Sequence, residues 1–269
     1  MMSSSQDREP SIDVVFPISD MWLLPYLRNA CAGVLAQEYR RELIGITISY
    51  YHAPDNTEDI GELGALCLEL DAQLVCQRWQ NSQFSRGQAI NIGIRCGCRE
   101  IVACLDADVV IHPRTFKHAK SFLNDGTPAA INVARTDLRP DAELFEQRDP
   151  KQWQAVVQKS PWRRDGVGNI LIPRALIETM RGYDERFYGW GGGDTELDKR
   201  LREHGIDLVF LHDHGGPTAL HQWHRLTPTR ESEFTARNRN LLARPSGFVQ
   251  NPGGWGGVAD SKMSNNLIV

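Results

Sequence analysis

The chain has 269 residues, 41% of them hydrophobic and 24% charged, a balance that suits one large globular unit and gives no sign of disorder or of a fibre. With 34 acidic against 30 basic side chains the net charge is −4, which disfavours a nucleic-acid surface but leaves room for a local phosphate site. The opening MMSSSQDREP has no apolar segment, and roughly 18 consecutive apolar residues occur nowhere, so the expected location is cytoplasmic with no transmembrane segment.

In chain order, residues 1–10 read as a polar tail. IDVVFPI reads as a strand, followed by a helix through Trp22 to Gln37, the strand LIGITISY, a helix around Leu63 to Leu70, the strand QLVCQ, a helix from Ser85 to Cys98 and the strand EIVACLDADVVI. This βαβαβ rhythm predicts an α/β fold with a mostly parallel sheet and helices on both faces. Ligands of such sheets bind beyond the carboxyl ends of the strands, so residues 11–112 are expected to hold a nucleotide half. Residues 113–245 are less regular and read as a loop-built half of the same domain, the kind of region where specificity resides. They include a strand near Ile131 to Ala134, GVGNILIP, a helix from Arg174, the loop YDERFYGWGGGD running into TELDKRLREHG, the strand DLVFL, and a polar helix around Pro228 to Leu242. Residues 246–269 are Gly-rich and read as a mobile tail or a flap. The six cysteines contain no CxxC pair and sit mostly in apolar stretches, as reduced structural residues do.

Four elements carry chemistry. Asp106-Ala107-Asp108 follows an apolar strand. A DxD triplet by itself is commonly a solvated turn, but carboxylates at the exit of a buried strand are costly unless a cation or a ligand meets them. Gly189-Trp190-Gly191-Gly192-Gly193-Asp194 opens an amphipathic helix; its glycines admit close approach of a ligand and Trp190 can stack on a sugar face. Asp194 reads as an N-cap, which favours an ionised carboxylate, and also as a base. His221 and His224, in HQWH, have a spacing at which two imidazoles can meet one ion on a helical or turn face, with His212 and His214 as competitors. Carboxylate with imidazole suits manganese, with magnesium as the alternative. Arg86, in SRGQAINIG, opens a helix whose N-terminus favours phosphate, and a salt-bridging surface arginine is an equal reading of it.

In this order the four elements resemble the GT-A glycosyltransferases, most closely the galactosyltransferase-like group with a GWGGED-type motif, over about Ile12 to Leu242. The resemblance implies a metal-dependent inverting glycosyltransferase that uses a nucleotide diphosphate sugar, UDP-linked by expectation, and a glycan, peptide or small-molecule acceptor. It implies Asp108, His221 and His224 as metal ligands, Asp106 at the donor ribose or a metal-bound water, and Asp194 as the general base. Trp190 and Gly191 would frame the sugars, Pro17 would line the nucleotide pocket, and Arg86 would lie near the diphosphate. Gly193 stands where the family has Glu, so the donor need not be UDP-galactose. The alternatives are a metal-dependent nucleotide-sugar hydrolase or nucleotidyltransferase, and a non-catalytic nucleotide- or carbohydrate-binding module.

Overall fold

The computed structural model describes residues 8–53, 59–78, 83–123, 129–138, 163–164, 168–189, 191–224 and 233–257. β1 (Ile12–Ile18) is buried at every position, which requires strands on both edges and helices on both faces. It pairs in parallel with β2 (Ile44–His52) on one edge and β4 (Ile101–Cys104) on the other, and β2 pairs in parallel with β3 (Gln73–Arg78). Beyond β4 lie β9 (Ile170–Pro173), antiparallel, then β6 (Ala129–Asn132) and β10 (Asp207–Phe210). Among the described residues this makes a seven-stranded sheet in the order β10-β6-β9-β4-β1-β2-β3, parallel except at β9.

Alternation along the strands divides the core into two layers. Ile12, Val14, Phe16 and Ile18 of β1 face α1 (Leu24–Leu35), α2 (Gly61–Leu70) and α4 (Thr115–Leu123). Val15 faces the opposite layer, with Ile90 and Ile94 of α3 (Arg86–Cys96), Ile177 of α5 (Arg174–Thr179), and Leu197 and Leu201 of α6 (Gly193–Glu203). Burial of each such side chain contributes about 1.5–3 kcal/mol. α3 lies so close to the sheet that a Cβ at Gly93 would collide with Val15. Between β1 and β4 the order of strands reverses, and a crevice opens there above their carboxyl ends.

The apolar run EIVACLDADVVI is not one strand. The chain turns at Asp106, whose carbonyl accepts the amide of Val109 at 3.1 Å, and enters a second sheet at β5 (Val109–Val110). That four-stranded sheet, unforeseen from the sequence, runs β5-β11-β7-β8, with β11 (Ala219–His221), β7 (Arg135–Asp137) and β8 (Arg163–Arg164).

The C-terminal segment departs from its expectation through residue 257. Phe248 and Trp255 pack against the second core layer, and Trp255 lies under Arg95 of α3 with the guanidinium 5.5 Å from its ring. The Gly256 amide donates to Glu185 Oε1 at 2.6 Å. Buried aromatic area and these polar ties make residues 247–257 a strap behind the sheet rather than a flap across the crevice; residues 258–269 lie outside the described residues. No helix among the described residues is long and apolar enough to cross a membrane. Cys31, Cys67 and Cys104 are buried, and all six cysteines are free.

Candidate active site and metal centre

A cleft of about 840 Å³ opens at the crevice, lined by Arg86, Asp106, Asp108, Arg135, Gly168, Asp194, His221 and His224 on its inner wall. The second sheet explains why residues over a hundred positions apart meet there. β11 pairs antiparallel with β5, bringing His221 opposite Val109, and the Gln222 amide donates to the Asp108 carbonyl at 2.8 Å. The Gln222 side chain then pins this segment to α1, accepting from Asn29 Nδ2 at 2.8 Å and donating to the Tyr26 carbonyl at 2.9 Å. His224 packs its ring against Trp22 and Tyr26, with centroids 5.3 and 5.8 Å away. The two imidazoles do not share a helix; His221 ends a strand and His224 lies in the irregular segment after it.

Asp108 Oδ2 lies 3.2 Å from His221 Nε2 and 2.9 Å from His224 Nε2. One ligand atom from each residue falls within 4.8 Å of the others, a carboxylate and two imidazoles with the reach and chemistry to hold a divalent ion. Burial would raise the Asp108 carboxyl, but hydrogen bonding to and charge on the two imidazoles outweigh it and hold Asp108 well below the usual carboxylate range. The competing histidines lie elsewhere: His212 sits 3.1 Å from Asp213, and His214 lies against Phe122.

Arg86 is the first residue of α3, whose N-cap Ser85 accepts the Gln88 amide at 3.2 Å and donates to the Phe187 carbonyl at 2.7 Å. Its guanidinium is no surface group. Nε donates to Asp106 Oδ1 at 2.7 Å, Nη1 to Asp194 Oδ1 at 2.5 Å, and Nη2 to the Gly168 carbonyl. Burial would lower its pKa, but the charges of Asp106 and Asp194 outweigh that and raise it well above the ordinary arginine value. Beneath it lies the buried Tyr183 ring, 5.9 Å away. Asn91 of α3 clamps that tyrosine's backbone, accepting its amide at 2.8 Å and donating to its carbonyl at 2.9 Å.

Asp194 is not an N-cap. Gly192 occupies that position with φ 95°, and a Cβ there would meet Phe187 at 2.9 Å, so the turn requires glycine. The Asn238 side chain of α7 (Glu233–Leu242) holds the loop by donating to the Gly191 carbonyl at 2.7 Å. Asp194 sits in the first turn of α6 facing the cleft. Withdrawal from water pushes its carboxyl above the ordinary aspartate value and, with Asp106, outweighs the pull of Arg86 and Arg135. An N-cap would have done the opposite. Gly191 and Gly193 line the cleft, whereas Trp190 lies outside the described residues. Pro17 is buried inside β1 opposite Ser49 and is not among the residues that line this cleft.

Sequence reasoning missed Arg135, Asp137, Gly168 and Asn169. Arg135 Nη1 donates to Asp106 Oδ2 at 3.0 Å, and Asn169 Oδ1 accepts the Asp106 amide at 3.0 Å. The signal available was Arg-x-Asp at 135–137, two charges one residue apart after a buried strand, the same pattern that drew attention to Asp106 and Asp108.

Comparison with known proteins places these residues in context. A family model described as the N-terminal domain of galactosyltransferase matches residues 155–224. The chain is 39% identical over 110 residues to validoxylamine A glucosyltransferase of Streptomyces hygroscopicus subsp. jinggangensis (strain 5008), covering 38% of this chain and 26% of that protein. It is 28% identical over 155 residues to chondroitin sulfate N-acetylgalactosaminyltransferase 2 of Homo sapiens, covering 54% of this chain and 27% of that one. The chain thus spans about a quarter of the length of these curated relatives. In structure it is similar to a mannosyltransferase from Pyrobaculum calidifontis in complex with GDP-Man and Mn2+, with a TM-score of 0.54 and 16% identity over 87% of this chain and 62% of that one. The fold is that of the GT-A glycosyltransferases, and the relatives in sequence are a glucosyltransferase and an N-acetylgalactosaminyltransferase.

Proposed function

We propose that the protein is a metal-dependent, inverting hexosyltransferase that moves a sugar from a nucleotide diphosphate sugar, UDP-linked by expectation, to a hydroxyl of a glycan, peptide or small-molecule acceptor. One observation carries this reading: a three-residue cation site, the Arg86 guanidinium and the Asp194 carboxylate converge in a single cleft. The glycosyltransferase names of the relatives and the GDP-Man and Mn2+ of the structural neighbour support it. The cytoplasmic location expected from the sequence belongs to the same reading.

Asp108, His221 and His224 would hold Mn2+ or Mg2+, which supplies Lewis-acid neutralisation of the departing diphosphate. Arg86 adds a fixed positive charge; it is engaged by Asp106, Asp194 and the Gly168 carbonyl, and a phosphate oxygen would take over part of that valence. Asp106, held by Arg86 and Arg135, would meet donor hydroxyls rather than a cation. Gly191 to Gly193 leave backbone bare of side chain where the sugar would lie, and Trp190 remains the candidate for stacking on it. Asp194 takes the proton of the acceptor hydroxyl as its oxygen attacks the anomeric carbon opposite the leaving group, so the configuration inverts. A carboxyl raised toward working pH is a stronger base, and such a group contributes roughly 10²–10⁴-fold.

The test is release of free nucleotide from a panel of UDP- and GDP-sugars, with Mn2+ or with chelator and no acceptor. Metal-dependent release from one donor, converted to transfer by an acceptor, is expected. Absence of both turnover and calorimetric donor binding across the panel overturns the reading, and release that no acceptor diverts points to a hydrolase.

A further inference from the structure

Resting on the cation site proposed above, we infer that Asp137 is a positioning residue that sets the orientation and the protonated nitrogen of His221. β7 and β11 run parallel with Asp137 directly opposite His221, and the Leu138 amide donates to the His221 carbonyl at 3.0 Å, so the two backbones are fixed against each other. The His221 ring is bracketed by carboxylates: Nδ1 lies 3.2 Å from Asp137 Oδ1, and Nε2 lies 3.2 Å from Asp108 Oδ2.

A neutral imidazole carries one proton, and the nitrogen that binds a cation must present its lone pair. Nε2 faces Asp108 and the cation site, so the proton belongs on Nδ1, on the side of the ring where the Asp137 carboxylate stands 3.2 Å away. A carboxylate behind a ligating histidine fixes the ring and raises its basicity. Arg135, on the same face of the strand two residues earlier, has Nε 3.8 Å from Asp137 Oδ1 while its Nη1 reaches Asp106. The strand Arg-Thr-Asp therefore serves both carboxylates of the Asp106-Ala107-Asp108 turn, Asp106 directly and Asp108 through His221. A rival role for Asp137 is purely structural, as a partner of Arg135 that stabilises the second sheet without touching cation affinity.

Titration of Mn2+ into the full chain, with free Mn2+ followed by its electron paramagnetic resonance signal, separates the two roles when paired with thermal unfolding in chelator. Asp137→Ala is expected to weaken Mn2+ binding roughly 10–100-fold. Asp137→Asn, which keeps the size of the side chain and an oxygen beside Nδ1 but lacks the charge, is expected to fall severalfold short of wild type and to lie between wild type and Asp137→Ala. Both variants should unfold near the wild-type temperature without metal. Mn2+ affinity within twofold of wild type in both variants overturns the inference, and if Asp137→Ala does not fold, the same criterion applied to Asp137→Asn decides. Failure of wild type to bind Mn2+ would instead remove the cation site itself, and this inference with it.

Discussion

Asp106 and Asp108 stand two residues apart on one turn, yet the protein holds them by different means. Asp106 lies between two guanidiniums, those of Arg86 and Arg135, while Asp108 lies between two imidazoles, those of His221 and His224. A guanidinium does not deprotonate in a protein, so Asp106 keeps cationic partners that compete with a metal ion for its oxygens. A neutral imidazole is itself a ligand, so under the proposed function the partners of Asp108 would join it around a cation. Under the proposed function the same Asp-x-Asp spelling would contain a donor-facing pole and a cation-facing pole, set by the flanking residues.

The largest effect is expected from Asp194→Asn, which belongs to neither pole and should lower the rate of transfer roughly 10²–10⁴-fold while leaving donor and Mn2+ affinity unchanged. Steady-state transfer kinetics beside calorimetry check both halves, and substantial residual transfer would remove Asp194 from the base role. Arg135→Ala strips one charge-assisted hydrogen bond from Asp106. A bond of that kind contributes about 1.5–3 kcal/mol, so donor affinity should fall about tenfold or more, again with Mn2+ affinity preserved. Loss of Mn2+ binding in this variant would mean the poles are not independent.

The pH profile tests the same division. Asp194 must be ionised to accept a proton, and its pKa is raised, so at saturating Mn2+ the rate should fall as pH drops through a value above the roughly 3.9 of an ordinary aspartate. An acid limb at or below that ordinary value would disconnect it from Asp194. The smallest effect expected on catalysis comes from Trp255→Ala, far from both poles. It should destabilise the fold by about 1–2 kcal/mol, less than a fully buried aromatic costs, with KM for donor unaltered. A changed donor KM with unchanged thermal stability would restore a flap role for the C-terminal segment.

What the sequence made legible follows the strength of local patterns. β1, β2 and β3 and helix α3 announce themselves because long apolar runs and helical periodicity need no distant partner to be seen. The turn at Asp106 was hidden because apolar residues continue on either side of it and Ala107 is itself buried. The second sheet was invisible for a related reason: its strands have two or three residues each, too few for any period, and are defined by pairing across long separations. With it went Arg135 and Asp137, whose roles exist only once β7 lies beside β11. Asp194 was found through its motif, but its electrostatics were inverted because Gly192 took the capping position. The Gly-rich composition of residues 246–257 suggested mobility, whereas Phe248 and Trp255 supply the area that holds them down.

The most direct test of the two-pole account is Mn2+ titration of wild type, Asp106→Asn and Asp108→Asn side by side. Wild type and Asp106→Asn should bind Mn2+ with similar affinity, while Asp108→Asn should lose more than the roughly 10–100-fold that removal of an outer partner costs. Retained binding in Asp108→Asn together with loss in Asp106→Asn would exchange the poles and contradict the account.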